Sequence, residues 1–124
     1  MKILSIDDSM IIRKIIRSLV DTIGLEFLEA PNGQEALNLL ESTYQEVGLI
    51  ILDWNMPVMD GYTTLQELKS DSRFVDIPVI MVTTENEKMN IIKAVQAGAK
   101  QYLSKPFNQE DLLVKMMQCI GMEA

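Results

Sequence analysis

Polar residues with chemical potential stand directly after short apolar runs in this chain. Asp7 and Asp8 follow Lys2–Ile6, Asp53 follows Gly48–Leu52, Thr83 and Thr84 follow Pro78–Val82, and Lys105 follows Gln101–Ser104. Together they offer three carboxylates, two hydroxyls and an ammonium. Carboxylates brought close together repel one another, and a bound cation relieves the repulsion. The donors are all oxygen, so a hard ion is indicated. Mg²⁺ suits such a set, because it takes one or two carboxylates, keeps several waters and binds a phosphate oxygen. Asp53 can act as a carboxylate nucleophile toward phosphorus. Phosphoryl transfer needs positioning and charge neutralisation more than acid–base work. Mg²⁺ and Lys105 could neutralise the equatorial oxygens, and the Thr83 hydroxyl could donate to one of them.

Singly, each residue has an ordinary explanation. Acid pairs end strands, lysines sit on surfaces, and Asp53 could be a turn residue. The chemistry requires elements that bring them together. After Lys2–Ile6, apolar residues Ile12, Ile15, Ile16, Leu19 and Ile23 recur at helical spacing, with Ser9 as N-cap and Gly24 as C-cap. Glu26–Ala30 alternates as a strand. Pro31-Asn32-Gly33 turns, and Asn32 caps a helix carrying Ala36, Leu37 and Leu40. Gly48–Leu52 is continuously apolar, as expected of a strand buried on both faces. Asp60-Gly61 opens a helix with Leu65 and Leu68 inward. Pro78–Val82 is a fourth strand. Met89, Ile92 and Val95 mark a helix that stops at Gly98, with Ile92 and Val95 on its inward stripe. Gln101–Ser104 is a fifth strand. Asn108 with Asp111 resembles a capping box for a last helix that buries Leu112, Met116 and Ile120. Alternating strands and helices predict an α/β fold, a doubly wound parallel sheet covered on both faces. Ligands of such sheets bind beyond the carboxyl ends of the strands, where the polar residues stand. If the first and third strands are neighbours, Asp7, Asp8 and Asp53 converge.

Composition narrows the function classes. The 124 residues fit a single domain over 1–124, with no output domain. Apolar residues make up 48%, enough for a core, and the formal net charge is −7. That acidity argues against nucleic-acid or anionic-membrane binding. No histidine is present, which excludes Ser-His and Cys-His nucleophile pairs and most zinc sites. Cys119 is the only cysteine and suits a reducing cytosol as an apolar filler. The N-terminal apolar run is too short for a signal peptide, and no stretch reaches membrane-span length, so a cytoplasmic location is expected. No Gly-rich phosphate loop is present, which makes nucleotide a poor direct phosphodonor.

Over residues 2 to 120 the chain resembles a bacterial two-component response-regulator receiver domain. The marks, in order, are Asp7-Asp8, Asp53, Met56-Pro57-Val58-Met59-Asp60-Gly61, Thr83 and Lys105-Pro106-Phe107. Asp53-Trp54-Asn55-Met56-Pro57, Met81-Val82-Thr83, Asn90-Ile91-Ile92 and Gln96-Ala97-Gly98-Ala99 give it the look of the family's single-domain chemotaxis regulators. The resemblance implies a flavodoxin-like (βα)5 fold with strand order 2-1-3-4-5. It implies Asp53 as phosphoacceptor. Mg²⁺ would bind the Asp8 and Asp53 side chains, the Asn55 backbone carbonyl and, through water, Asp7. Lys105 would contact the phosphoryl group, and the Lys105-Pro106 peptide would be cis. Thr83 would move to the phosphoryl oxygen and Tyr102 would swing inward. That would remodel an output face of the fourth helix, fifth strand and fifth helix, with Lys88, Ile91, Val95, Tyr102 and Lys115 on it. Asn55 and Glu85 occupy the positions that tune phosphoryl loss, which implies rapid self-dephosphorylation. The implied partners are a histidine kinase as donor, the flagellar motor switch protein or another effector as target, and a phosphatase. The protein would be a monomeric binding switch, not an enzyme.

Thr84 departs from the pattern, because chemotaxis regulators carry a smaller residue there. Coupling between phosphorylation and the output face is therefore open at this position. A receiver that serves as a phosphate sink or relay is an alternative to motor binding. An aspartyl-phosphate phosphatase of the haloacid-dehalogenase type would need a second Asp two residues past the nucleophile, and that position holds Asn55. A degenerate structural module would lack acceptor-site residues, and all are present.

Overall fold

The computed structural model describes residues 1–84 and 88–122. Five strands and five helices alternate: β1 (Lys2–Ile6), α1 (Met10–Thr22), β2 (Glu26–Ala30), α2 (Gly33–Thr43), β3 (Val47–Asp53), α3 (Gly61–Ser70), β4 (Val79–Thr83), α4 (Lys88–Gln96), β5 (Gln101–Ser104) and α5 (Gln109–Ile120). The strands form one parallel sheet in the order β2-β1-β3-β4-β5. Both the α/β class and the strand order agree with expectation. Strand β3 is one residue longer at each end than its apolar run, and β4 is shifted one residue along from its own. As a result Asp53 and Thr83 are the last strand residues rather than the first loop residues.

Local chemistry accounts for the helix ends. Ser9 accepts a hydrogen bond from Ile12 N, Asn32 from Glu35 N, and Asp60 from Thr63 N, each satisfying a donor that the first turn leaves without a partner. Asn108 caps α5 too, but it accepts from Glu110 N, so the expected pairing with Asp111 is not how the cap forms. Helix α1 closes on Ile23, and Gly24 follows at φ +74°, the left-handed conformation that glycine adopts without a Cβ clash.

The sheet divides the core in two, because successive side chains of a strand point to opposite faces. Leu4, Ile6, Ile50, Leu52 and Met81 pack with Leu40, Leu65, Leu68 and Ala94 on the side of α2, α3 and α4. Ile3, Leu49, Ile51, Ile80 and Val82 pack with Ile16, Val20, Leu112 and Met116 on the side of α1 and α5. Ile120 is only partly buried there.

Helix α4 corrects the sequence expectation. Ile92 and Val95, expected on its inward stripe, are 37% and 58% exposed, Met89 is 64% exposed, and the buried residue is Ala94. Asn90, Ile91 and Ala97 flank it, half-buried. Both series recur at helical spacing. Bulk alone favours the first, but the helix lies on the sheet through Ala94.

Candidate functional site

Parallel pairing places the acids side by side. Ile6 is in register with Leu52, so the next residues, Asp7 and Asp53, emerge together at the carboxyl edge. Thr83 ends β4 beside them and is in register with Ser104, the residue before Lys105. Lys105 N donates to the Thr83 carbonyl at 2.8 Å, which fixes where the lysine side chain starts. The Lys105-Pro106 peptide is cis, as the resemblance implied.

Carboxylate oxygens of Asp7, Asp8 and Asp53 lie within 4.8 Å of one another and could hold a metal ion. Asp7 and Asp53 are buried and Asp8 is exposed. Lys105 Nζ donates to Asp7 Oδ2 at 3.0 Å and to Asp53 Oδ1 at 3.3 Å. The other Asp7 oxygen accepts from Ser9 N at 2.8 Å. Burial, then repulsion from Asp7, pushes the Asp53 carboxyl up to about 6 despite the nearby Lys105. Burial pulls Lys105 down, but its hydrogen bond to Asp7 and the charges of Asp53 and Asp7 outweigh it and leave the ammonium above its ordinary value. Lys105 is thus shared by two of the three carboxylates. The residual negative charge and the all-oxygen donors fit a hard divalent ion.

The β3–α3 loop roofs this edge. Gly61 N donates to the Trp54 carbonyl at 2.7 Å, drawing the start of α3 onto the strand end. A Cβ at Gly61 would lie 2.0 Å from the Asp53 carbonyl oxygen, so only glycine permits the approach. Val58, 81% exposed, adopts φ +72°, and Met59 N donates to the Pro57 carbonyl around it at 2.8 Å. A β-branched residue there is strained. Trp54 stacks on Tyr62 with centroids 5.4 Å apart.

The other expected residues are distributed as follows. Thr83 is fully buried at the edge. Asn55 is exposed, and its Nδ2 donates to Thr84 Oγ1 at 3.5 Å. Tyr102 on β5 is half-buried, as is Ile91. Lys88 is exposed and Lys115 half-buried. Glu85 lies outside the described residues. Sequence reading passed over Arg13, whose guanidinium reaches both the Asp7 carbonyl and Glu29. The available signal was a charge set among the apolar residues of α1.

The description "response regulator receiver domain" matches residues 3–117. Chemotaxis protein CheY1 of Helicobacter pylori is 41% identical over 122 residues, 98% of each chain. The chemotaxis protein CheY homolog of Campylobacter jejuni is 38% identical, covering 98% of this chain and 93% of the relative. Among solved structures, Vibrio cholerae CheY4 superposes with a TM-score of 0.87 at 33% identity, over 95% of this chain and 97% of that one. A chain whose sheet edge collects these acids around one lysine, and which matches that description over almost its whole length, belongs to the response regulator receiver domain family.

Proposed function

We propose that Asp53 accepts a phosphoryl group from a histidine kinase's phosphohistidine, with Mg²⁺, and that the change is read by a partner protein. In the transfer an Asp53 carboxylate oxygen attacks phosphorus. The P–O bond forms as the P–N bond to the donor imidazole breaks, and that nitrogen keeps the electron pair. The absence of histidine from this chain is consistent with an external donor. Bound Mg²⁺ would neutralise charge on the phosphoryl oxygens. Asp8 and Asp53 are the side chains available to hold it, with the Asn55 backbone carbonyl. Asp7, whose oxygens already accept from Ser9 N and Lys105, would act through water. Lys105 would turn from its carboxylates toward the phosphoryl group, and Thr83 would donate its hydroxyl. The protein serves as a binding switch that assists its own phosphorylation and dephosphorylation.

The observation that carries this reading is Lys105 shared between Asp7 and Asp53 inside the three-carboxylate group. The chemotaxis names of the relatives support the flagellar motor switch as target. The output face would comprise Tyr102, Lys88, Lys115 and Ile91, with Val95 exposed beside them.

Trp54 follows Asp53 directly and reports on the site. Fluorescence should change with Mg²⁺ and again with acetyl phosphate or beryllofluoride, and Asp53→Asn should lose the second change. An unchanged intact mass after acetyl phosphate and Mg²⁺ would refute phosphoacceptance. Pull-down of the motor switch protein's N-terminal segment with the beryllofluoride-treated protein would support the target. Phosphorylation without capture would favour a sink or relay.

A further inference from the structure

We propose that Arg13 is a positioning residue for the cation, fixing the Asp7–Asp8 peptide so that Asp8 is presented to the metal. The proposal rests on the Mg²⁺ reading above.

Arg13 lies in the first turns of α1, and its side chain is only 12% exposed. Nη1 donates to the Asp7 carbonyl oxygen, and Nε donates to Glu29 Oε1 on β2 at 2.7 Å. One guanidinium therefore ties α1 to the ends of two neighbouring strands. The remaining polar atoms of Asp7 are also held. Its N–H donates to the Ala30 carbonyl at 3.1 Å, Oδ1 accepts from Ser9 N, and Oδ2 accepts from Lys105.

Asp8 is different, because its carboxylate is exposed. What sets its direction is the backbone before it. A peptide is planar, so anchoring the Asp7 carbonyl also anchors the Asp8 N–H and leaves few ways for the Asp8 side chain to leave the edge. A ligand held in place loses less freedom when the ion binds. The task suits arginine, whose rigid fork directs separate N–H groups to a carbonyl and a carboxylate at once. A lysine ammonium at the same position has one donor centre on a flexible stem.

Charge and positioning predict opposite signs. A cation beside a metal site repels the metal, so if charge were the whole effect, removing Arg13 would tighten Mg²⁺ binding. If Arg13 positions Asp8, its removal loosens binding despite the lost repulsion. Residues that orient metal ligands typically change affinity by about 10–100-fold.

The test is Mg²⁺ titration of the full chain by Trp54 fluorescence for wild type, Arg13→Gln, Arg13→Lys and Glu29→Gln. The rate of phosphorylation by acetyl phosphate is measured in parallel as a function of Mg²⁺. Arg13→Gln and Arg13→Lys should each raise the Mg²⁺ Kd about tenfold or more. Glu29→Gln, which frees the far end of the guanidinium, should raise it less. The Mg²⁺ concentration for half-maximal phosphorylation should rise in step, with the rate at saturating Mg²⁺ changing far less. Unchanged or tighter Mg²⁺ binding in Arg13→Lys and Glu29→Gln overturns the proposal. So does a fall in the saturating rate without a shift in the Mg²⁺ dependence, which marks a merely structural role. A wild type that does not respond to Mg²⁺ removes the Mg²⁺ reading itself, a result distinct from either.

Discussion

Asp53 carries a conflict that its neighbours resolve only in part. Folding takes it out of water and sets it against Asp7, and Lys105 does not compensate fully. The sign of the consequence for stability follows from proton binding. A carboxyl at about 6 in the folded protein and 3.8 when unfolded binds its proton more tightly in the folded state. Its contribution to stability is complete below 3.8 and is lost as pH rises through 6. The difference amounts to about 3 kcal/mol. Metal-free Asp53→Asn should therefore be more stable than wild type at pH 7, by up to about 3 kcal/mol in urea unfolding. The gain should vanish near pH 4. Equal stability at both pH values would show that Asp53 is adequately neutralised by Lys105. Added Mg²⁺ should stabilise the wild type and not the mutant, because a ligand bound to the folded state alone raises stability.

Among the elements, α4 shows how a short helix can be misread. Its nine residues carry two interleaved series at helical spacing, and side-chain bulk favours the wrong one. Contact with the sheet selects Ala94 because a small residue lets the helix backbone approach. Ala94→Leu should then cost about 1–3 kcal/mol by overpacking. Val95→Ser on the exposed side should stay within about 0.5 kcal/mol. Urea midpoints of the two variants decide it, and the reverse ranking would restore the sequence expectation. The exposed Val95 then lies on the same flank of the helix as the proposed output residues Ile91 and Lys88, one turn past the first and two past the second. The β3–α3 loop is constrained differently. Gly61 is required by the close approach to the Asp53 carbonyl, and the left-handed Val58 is carried along by the same tight path.

For the molecule as a whole, 18 acidic residues against 11 basic ones set a negative field in which the carboxyl edge lies. On the proposed function this field helps to gather the cation. Raising ionic strength shortens the Debye length from about 30 Å at 0.01 M to about 10 Å at 0.1 M. Over that range the Mg²⁺ affinity read from Trp54 should weaken a few-fold. An affinity insensitive to salt would confine the attraction to the three local carboxylates. Among the described residues no helix is long and apolar enough to cross a membrane.

The sequence by itself determined the order and type of the elements and the position of each polar residue at a strand end. Apolar runs and helical spacing record burial over many residues, so single errors average out. It also exposed the polar set, because Asp7, Asp8, Asp53, Thr83 and Lys105 stand at or just past the ends of their apolar runs. Only the tertiary structure decided three things. Strand pairing put Asp7 beside Asp53 and ran Lys105 between them, since register is a relation between distant segments. Packing chose the buried side of α4, since two periodicities fitted the sequence equally well. The reach of Arg13 to Asp7 and Glu29 joined three elements through one side chain, and a contact of that kind leaves no periodic trace along the chain.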